Sequence, residues 1–101
     1  MMLRDIAHTR TGDKGDTSQI SVIVHQAAHY PLLARAVTCE RLREHLRIDE
    51  AVSIARYDLP ALGALNFVVK GVLRGGVTRS LALDPHGKTI GAQLLDLVID
   101  V

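Results

Sequence analysis

The stretch Ile20-Ser21-Val22-Ile23-Val24 decides how the rest of the chain is organised. Its β-branched residues predict a buried central strand of a sheet. Before it, the segment from Leu3 to Arg10 alternates loosely between apolar and polar residues, which indicates a shorter or more exposed strand. The polar segment from Thr11 to Ser18, with the sequence TGDKGDTS, then lies between two strands.

After this strand the sequence predicts helices alternating with strands. Pro31 suits the first position of a helix. Thr38 is a good N-cap for a second helix, and apolar residues recur at helical spacing from there to Arg47. Alternation returns from Ala51 to Leu59 and predicts a strand, which Pro60 ends.

The segment from Leu62 to Leu73 is ambiguous. Phe67-Val68-Val69 is typical of a strand, whereas Leu65, Val69 and Val72 fall on one helical face. We predict a helix, which Gly75-Gly76 would end. Further predictions are a strand at Ser80–Asp84, a type I turn at Asp84–Gly87, a helix at Lys88–Leu95 and a final strand at Leu97–Val101.

The order β-β-α-β-α-β-α-β predicts one α+β domain spanning residues 1–101. Its expected architecture is a sandwich with one mainly antiparallel sheet of about four to five strands and helices on one face. A last strand at the sheet edge would be a place for a second copy or a partner chain to pair.

Composition narrows the range of partners. Twelve Lys and Arg against eleven Asp and Glu leave a net charge of +1, and only 3% of residues are aromatic, so we expect neither nucleic acid nor a membrane surface as a partner. No apolar run approaches the roughly 20 residues that span a bilayer. A single cysteine and the lack of a leader pattern lead us to expect a cytoplasmic protein of bacterial type.

The TGDKGDTS segment has two possible roles. Only two residues separate Gly12 from Gly15, which is too few for the phosphate-binding P-loop, and the pattern also fails as a calcium loop. Both glycines permit positive φ, so their amides could hold an anion with help from Lys14. Alternatively, Asp13 and Asp16 could accept hydrogen bonds from the segment's own amides and make a structural turn.

A second polar segment surrounds Arg79. Its guanidinium and the hydroxyls of Thr78 and Ser80 could bind a phosphate or carboxylate, or the segment could simply be a helix stop and a strand start. The candidate ligand-binding residues are therefore Gly12, Asp13, Lys14, Gly15, Asp16, Gly75, Gly76 and Arg79.

Other polar residues give weaker signals. His25 and His29 have the spacing of a zinc motif, but Gln26 replaces its glutamate and no third ligand is evident, so we expect no metal. Cys39 lies on an apolar helix face and is expected to be a small buried hydrophobe. Arg56-Tyr57-Asp58 could line a cleft, or Asp58 could cap a turn. No catalytic set can be assembled, so whether the chain is an enzyme stays open.

Several motifs together resemble those of a known family. They are Thr11–Asp16 (TGDKGD), the strand Ile20–Val24, Leu59-Pro60, Leu65-Asn66-Phe67, Gly75-Gly76 and Ser80–Asp84. In this order they resemble the small domain of the acyclic terpene utilisation protein A (AtuA)-like family, over about residues 5–100. Family members often carry Ser and Asn where this chain has Thr11 and Asp16.

The resemblance implies a ferredoxin-like fold. It also implies a module that is either the C-terminal part of a longer protein or a short chain encoded beside a large one, in branched acyl-CoA and terpenoid breakdown. Gly12, Asp13, Lys14 and Gly15 would form the signature loop, and Asn66, Gly75 and Gly76 are the other matching positions.

Two functional hypotheses follow. In the first, the chain is an accessory subunit that self-associates or docks on a larger AtuA-like partner. In the second, it binds an anionic small molecule such as an acyl-CoA, which Lys14 and Arg79 would hold, and Asp13 or Asp58 could serve as a general base. No cofactor is expected in either case.

Overall fold

The computed structural model describes residues 1–14, 17–70 and 88–99. After a 3₁₀ turn at Leu3–Asp5, its elements are β1 (Ala7–Lys14), β2 (Thr17–Val24), a 3₁₀ turn (Ala27–His29), α1 (Tyr30–Ala36), α2 (Cys39–Leu46), β3 (Ser53–Leu59), a 3₁₀ turn (Pro60–Leu62), β4 (Ala64–Lys70) and α3 (Lys88–Leu94). Within these ranges no helix is long and apolar enough to cross a membrane.

The sheet has four strands in the order β1-β2-β4-β3, and each neighbouring pair is antiparallel. The register places Ile20 of β2 between Thr11 of β1 and Phe67 of β4. Residues 20–24 are therefore part of a central strand, as predicted. The antiparallel sheet and its helices confirm the α+β, ferredoxin-like fold class.

The core lies between one face of the sheet and the helices. From the sheet it receives alternate residues of the two central strands, among them Ile20, Val22, Leu65, Phe67 and Val69. From the helices it receives Leu33 of α1, Leu42 and Leu46 of α2 and Leu94 of α3. Each large apolar side chain buried in this way stabilises the fold by about 1.5–3 kcal/mol.

Helix α2 begins and ends as its sequence indicates. The backbone N–H of Arg41 donates to Oγ1 of Thr38 at 3.1 Å, so the predicted N-cap is confirmed. Leu42 and Leu46 face the core. The helix ends at Arg47, which adopts the left-handed conformation with φ 55°.

The helix predicted for Leu62–Leu73 is wrong over the described residues. Ala64–Lys70 forms β4, which hydrogen-bonds to β2 on one side and β3 on the other. Leu65, Phe67 and Val69 alternate into the core, and pairing along both edges decides the conformation of a run whose apolar spacing also suits a helix. Residues 71–73 lie outside the described ranges.

The two chain ends also differ from prediction. Leu3–Asp5 is a 3₁₀ turn, and the first strand begins at Ala7 and continues to Lys14 instead of ending at residue 10. The predicted final strand is reduced over residues 97–99 to an isolated bridge between Val98 and Met2, outside the four-stranded sheet. The helix predicted from Lys88 is present, while the strand, turn and glycine stop predicted within 71–87 lie outside the described residues.

Candidate functional site on the open face of the sheet

The two faces of the sheet have different environments. Arg56 of β3 and Thr9 of β1 lie on the face that packs against the helices. The opposite face, which we call the open face, consists of alternate residues on the four strands. They are His8, Arg10, Gly12, Thr17, Gln19, Ser21, Ile23, Ser53, Ala55, Tyr57, Leu59, Ala64, Asn66, Val68 and Lys70. Apart from the small Ala64, these residues are half-buried or exposed.

A line of polar residues crosses the middle of the open face, and we call it the polar row. Arg10 pairs with Ser21, Ser21 with Asn66, and Asn66 with Tyr57, so one residue comes from each strand. The Ser21 hydroxyl donates to Oδ1 of Asn66 at 3.2 Å. Tyr57 is 56% exposed, and Arg10 is also exposed. The sheet register thus assembles donors from four separate segments of the chain.

Apolar residues lie on both sides of the polar row. On one side the register aligns Ile23, Ala64 and Leu59, and on the other it aligns Val68 and Ala55. Leu59 is 40% exposed. The open face therefore offers a polar centre between two partly apolar bands.

Charge is distributed unevenly between the faces. Among its described side chains, the open face carries the cations Arg10 and Lys70 and no Asp or Glu. Acidic residues such as Glu40 and Glu44 lie on α2, and Asp58 lies on the helix side of β3. Although the chain is nearly neutral overall, its open face is positive.

The TGDKGD segment is largely strand, not loop. Gly12, Asp13 and Lys14 belong to β1, and Lys14 pairs with Thr17 at the end of the ladder. Gly12 does not have a positive φ, and a side chain there would meet no atom within 4 Å. An anion nest would therefore have to form without a left-handed Gly12. Binding by the segment as a whole stays a prediction.

The remaining predicted ligand residues, Gly15, Asp16, Gly75, Gly76 and Arg79, lie outside the described residues. Two described lysines lie at the same end of the sheet as the first segment. Lys70, the last residue of β4, pairs with Thr17, which in turn pairs with Lys14. Lys14 and Lys70 are thus each one strand away from Thr17 at this end of the sheet.

Arg56 and Asp58 form hydrogen bonds that stabilise the fold between β3 and α1. Nε and Nη2 of Arg56 donate to the two carboxylate oxygens of Asp58 at 2.8 and 3.1 Å, and Nη1 donates to the carbonyls of Ala34 and Val37 at 2.8 and 2.9 Å. These bonds tie β3 to the C-terminal end of α1. Both carboxylate oxygens of Asp58 are thus engaged by a guanidinium, and its role as a general base stays a prediction.

The histidines and the cysteine do not form a reactive group. The ring of His25 stacks on that of His8, with centroids 5.5 Å apart, and not on His29. The described residues contain no cluster of three potential metal ligands. Burial, with a smaller effect of Glu40, raises the pKa of the half-buried Cys39 thiol, so it is protonated at neutral pH and is a poor nucleophile.

The polar row was not recognised from the sequence. In the sequence, Asn66 is only a family-like position and Tyr57 only part of a polar tripeptide, because their alignment depends on strand register.

A search of curated proteins and a search of solved structures each found no match. The family model of the AtuA ferredoxin-like domain, however, matches residues 1–100. The chain therefore belongs to the AtuA ferredoxin-like domain family.

Proposed function

We propose that the chain is an accessory module that docks on a larger partner protein through the open face of its sheet. The main support is the composition of that face, which combines partly exposed apolar side chains with cations and no described acid. Following the family resemblance, we place the complex in cytoplasmic acyl-CoA or terpenoid catabolism.

A protein suits the open face better than a small molecule does. Small ligands usually bind in concave sites. Two surface grooves border α2, and none of their lining residues belongs to the open face. A surface with mixed polar and apolar character is instead typical of protein interfaces.

The dimensions of the face indicate how far the contact must extend. Strands of seven or eight residues at about 3.4 Å each, and four strands about 4.8 Å apart, give a projected area of about 450–520 Å². A standard interface buries about 800 Å² on each partner. The contact should therefore continue past Leu59 to Leu62, which is 70% exposed in the turn after β3.

Charge favours a different protein over a second copy on this face. Two copies laid face to face would bring Arg10 and Lys70 against a surface of the same sign, which disfavours association. An acidic partner surface would be complementary. Self-association, which the sequence also led us to expect, would have to use another surface.

A second candidate function is binding of a phosphate- or carboxylate-bearing ligand, such as an acyl-CoA, at the end of the sheet. It is favoured by the register that aligns Lys14, Thr17 and Lys70 there. Calorimetry with acyl-CoA thioesters and inorganic phosphate tests this function. Heat that disappears in Lys14→Ala would support it, and no heat from the wild type would exclude it.

The docking function is tested by affinity capture from the native host, followed by reconstitution with the purified partner. We compare wild type with Lys70→Glu, which reverses a charge on the open face, and with Arg35→Glu, which makes the same change on exposed α1. Wild type and Arg35→Glu should bind with equal affinity, and Lys70→Glu at least about tenfold more weakly. Equal binding by all three proteins, or no partner at endogenous concentration, would refute docking through this face.

A further inference from the structure

We infer that the polar row binds one carboxylate side chain, an Asp or Glu of the docked partner, between Arg10, Asn66 and Tyr57. This inference rests on the proposed docking function, because it names the chemistry that the open face recognises. It concerns the centre of the sheet and does not involve the TGDKGD segment.

The register determines which groups can act together. Adjacent strands are about 4.8 Å apart, so Arg10 lies about 10 Å from Asn66 across Ser21, and Tyr57 lies one strand beyond. An extended arginine side chain is long enough to reach across the strand that carries Ser21. A carboxylate placed above Ser21 and Asn66 could therefore be reached from one side by the guanidinium and from the other by the phenol.

The hydrogen bond within the row leaves mainly donors for a ligand. Ser21 uses its hydroxyl hydrogen on Oδ1 of Asn66, which occupies the acceptor end of that amide. The amide NH₂ of Asn66, the hydroxyl hydrogen of Tyr57 and the guanidinium N–H groups of Arg10 remain. A set of donors that includes one permanent positive charge is suited to an anion.

No described acidic group on the open face neutralises Arg10. Arg4 and Arg56 each form an ion pair with an aspartate, Asp96 and Asp58 respectively. Arg10 has no such partner among the described residues, and no described acidic side chain shares its face. A carboxylate of a partner would give Arg10 the kind of ion pair that Arg4 and Arg56 form within the chain.

The surroundings favour a carboxylate over a phosphate. One guanidinium matches the single charge and the planar shape of a carboxylate, whereas a phosphate dianion would be left partly uncompensated. The half-buried Ile23 and Val68 on either side of the row can pack against the methylene groups of an Asp or Glu side chain. Because neither surface groove reaches this face, a side chain presented by a protein is favoured over a free acid.

The experiment is an NMR titration of the ¹⁵N-labelled chain with N-acetyl-glutamate methylamide at constant ionic strength. N-acetyl-glutamine methylamide, which has the same shape without the charge, is the matched control. We expect saturable shifts of the Arg10, Ser21, Asn66 and Tyr57 amides with the glutamate probe only, at a Kd of roughly 10 mM. Equal shifts with both probes would overturn the inference.

Variants distinguish binding of the glutamate probe by the polar row from its general attraction to a positive surface. Arg10→Gln should weaken binding of the glutamate probe about tenfold or more, and Tyr57→Phe about two- to tenfold, because each removes a donor. Lys70→Gln removes an equal charge from the same face and should leave the affinity nearly unchanged. A loss in Lys70→Gln as large as that in Arg10→Gln would overturn the assignment to the row.

The captured partner separates this inference from the docking function. If Arg10→Gln weakens binding of both the glutamate probe and the partner, the inference is supported. If Lys70→Glu releases the partner but the glutamate probe does not bind, the inference fails and docking stands. If the probe binds but no partner depends on Arg10, docking of a partner carboxylate is refuted and a free carboxylate is the ligand.

Discussion

Replacing Gly91 by alanine tests how closely α3 lies on the sheet. Gly91 is buried, and a Cβ atom on it would lie 2.8 Å from Oγ1 of Thr9 and 2.8 Å from Cγ2 of Thr11. Both threonines are on β1, and their branched side chains are stiff at χ1. The helix would therefore have to move away from the strand to accept a methyl group.

The magnitude follows from two opposing effects. Overpacking a well-packed contact costs typically about 1–3 kcal/mol, and two contacts this short place Gly91→Ala near the upper value. Alanine is favoured over glycine within a helix by roughly 1 kcal/mol, which offsets part of that cost. We expect a net loss of about 2 kcal/mol in the free energy of unfolding, and a Tm lower by about 8–16 °C.

The measurement is urea and thermal unfolding followed by circular dichroism. The matched control is Gly12→Ala on the same strand as the threonines, where the new Cβ meets nothing within 4 Å and φ is not positive, so the free energy of unfolding should rise by about 0.4–1 kcal/mol. Adding Thr9→Ala to Gly91→Ala should recover part of the loss. A Gly91→Ala protein as stable as the wild type would refute the close packing of α3.

Three further predictions concern single groups or pairs of groups. Arg56→Lys cannot keep both the bidentate ion pair with Asp58 and the two hydrogen bonds to backbone carbonyls at the end of α1. Urea unfolding should therefore show a free energy of unfolding lower by about 1–3 kcal/mol, and an unchanged value would contradict the structural role of Arg56. Burial raises the pKa of Cys39, so the unfolded thiol ionises first and stability should fall as pH rises above about 8.5. Iodoacetamide should also alkylate the native thiol more slowly than the urea-unfolded one, and equal rates would contradict its burial. Ser21→Val with Asn66→Val should raise the free energy of unfolding by up to about 1 kcal/mol and abolish partner binding, whereas retained binding would exclude the polar row from docking.

Local signals in the sequence predicted some elements well. Thr38 is the N-cap of α2, as its position before an apolar repeat indicates, and Pro60 ends β3 because it cannot donate to the ladder. The hairpin could also have been found. Gly15-Asp16 is a residue pair typical of a two-residue hairpin connection, and Lys14 does pair with Thr17.

Features that depend on distant pairing could not be predicted from local pattern. In β4, Leu65 and Val69 suit a helix as well as a strand, and the choice is made by neighbours on both sides of the sheet. The polar row has the same origin. Pairing of Lys14 with Thr17 fixes Arg10 opposite Ser21, but Asn66 and Tyr57 join the row only through two further ladders.

The positions of Ser21 and Asn66 argue that stability alone did not determine the open face. Both residues lie in the middle of the central strands, where Val or Ile would favour the extended backbone more strongly, and Asn is depleted in strands. Neither side chain contributes to the core, which is built entirely on the other face. Since natural proteins sacrifice some stability at functional surfaces, these two polar residues agree with the docking function proposed for this face. Under the proposed docking function, the domain would keep its packing on one side and recognise a partner with the other.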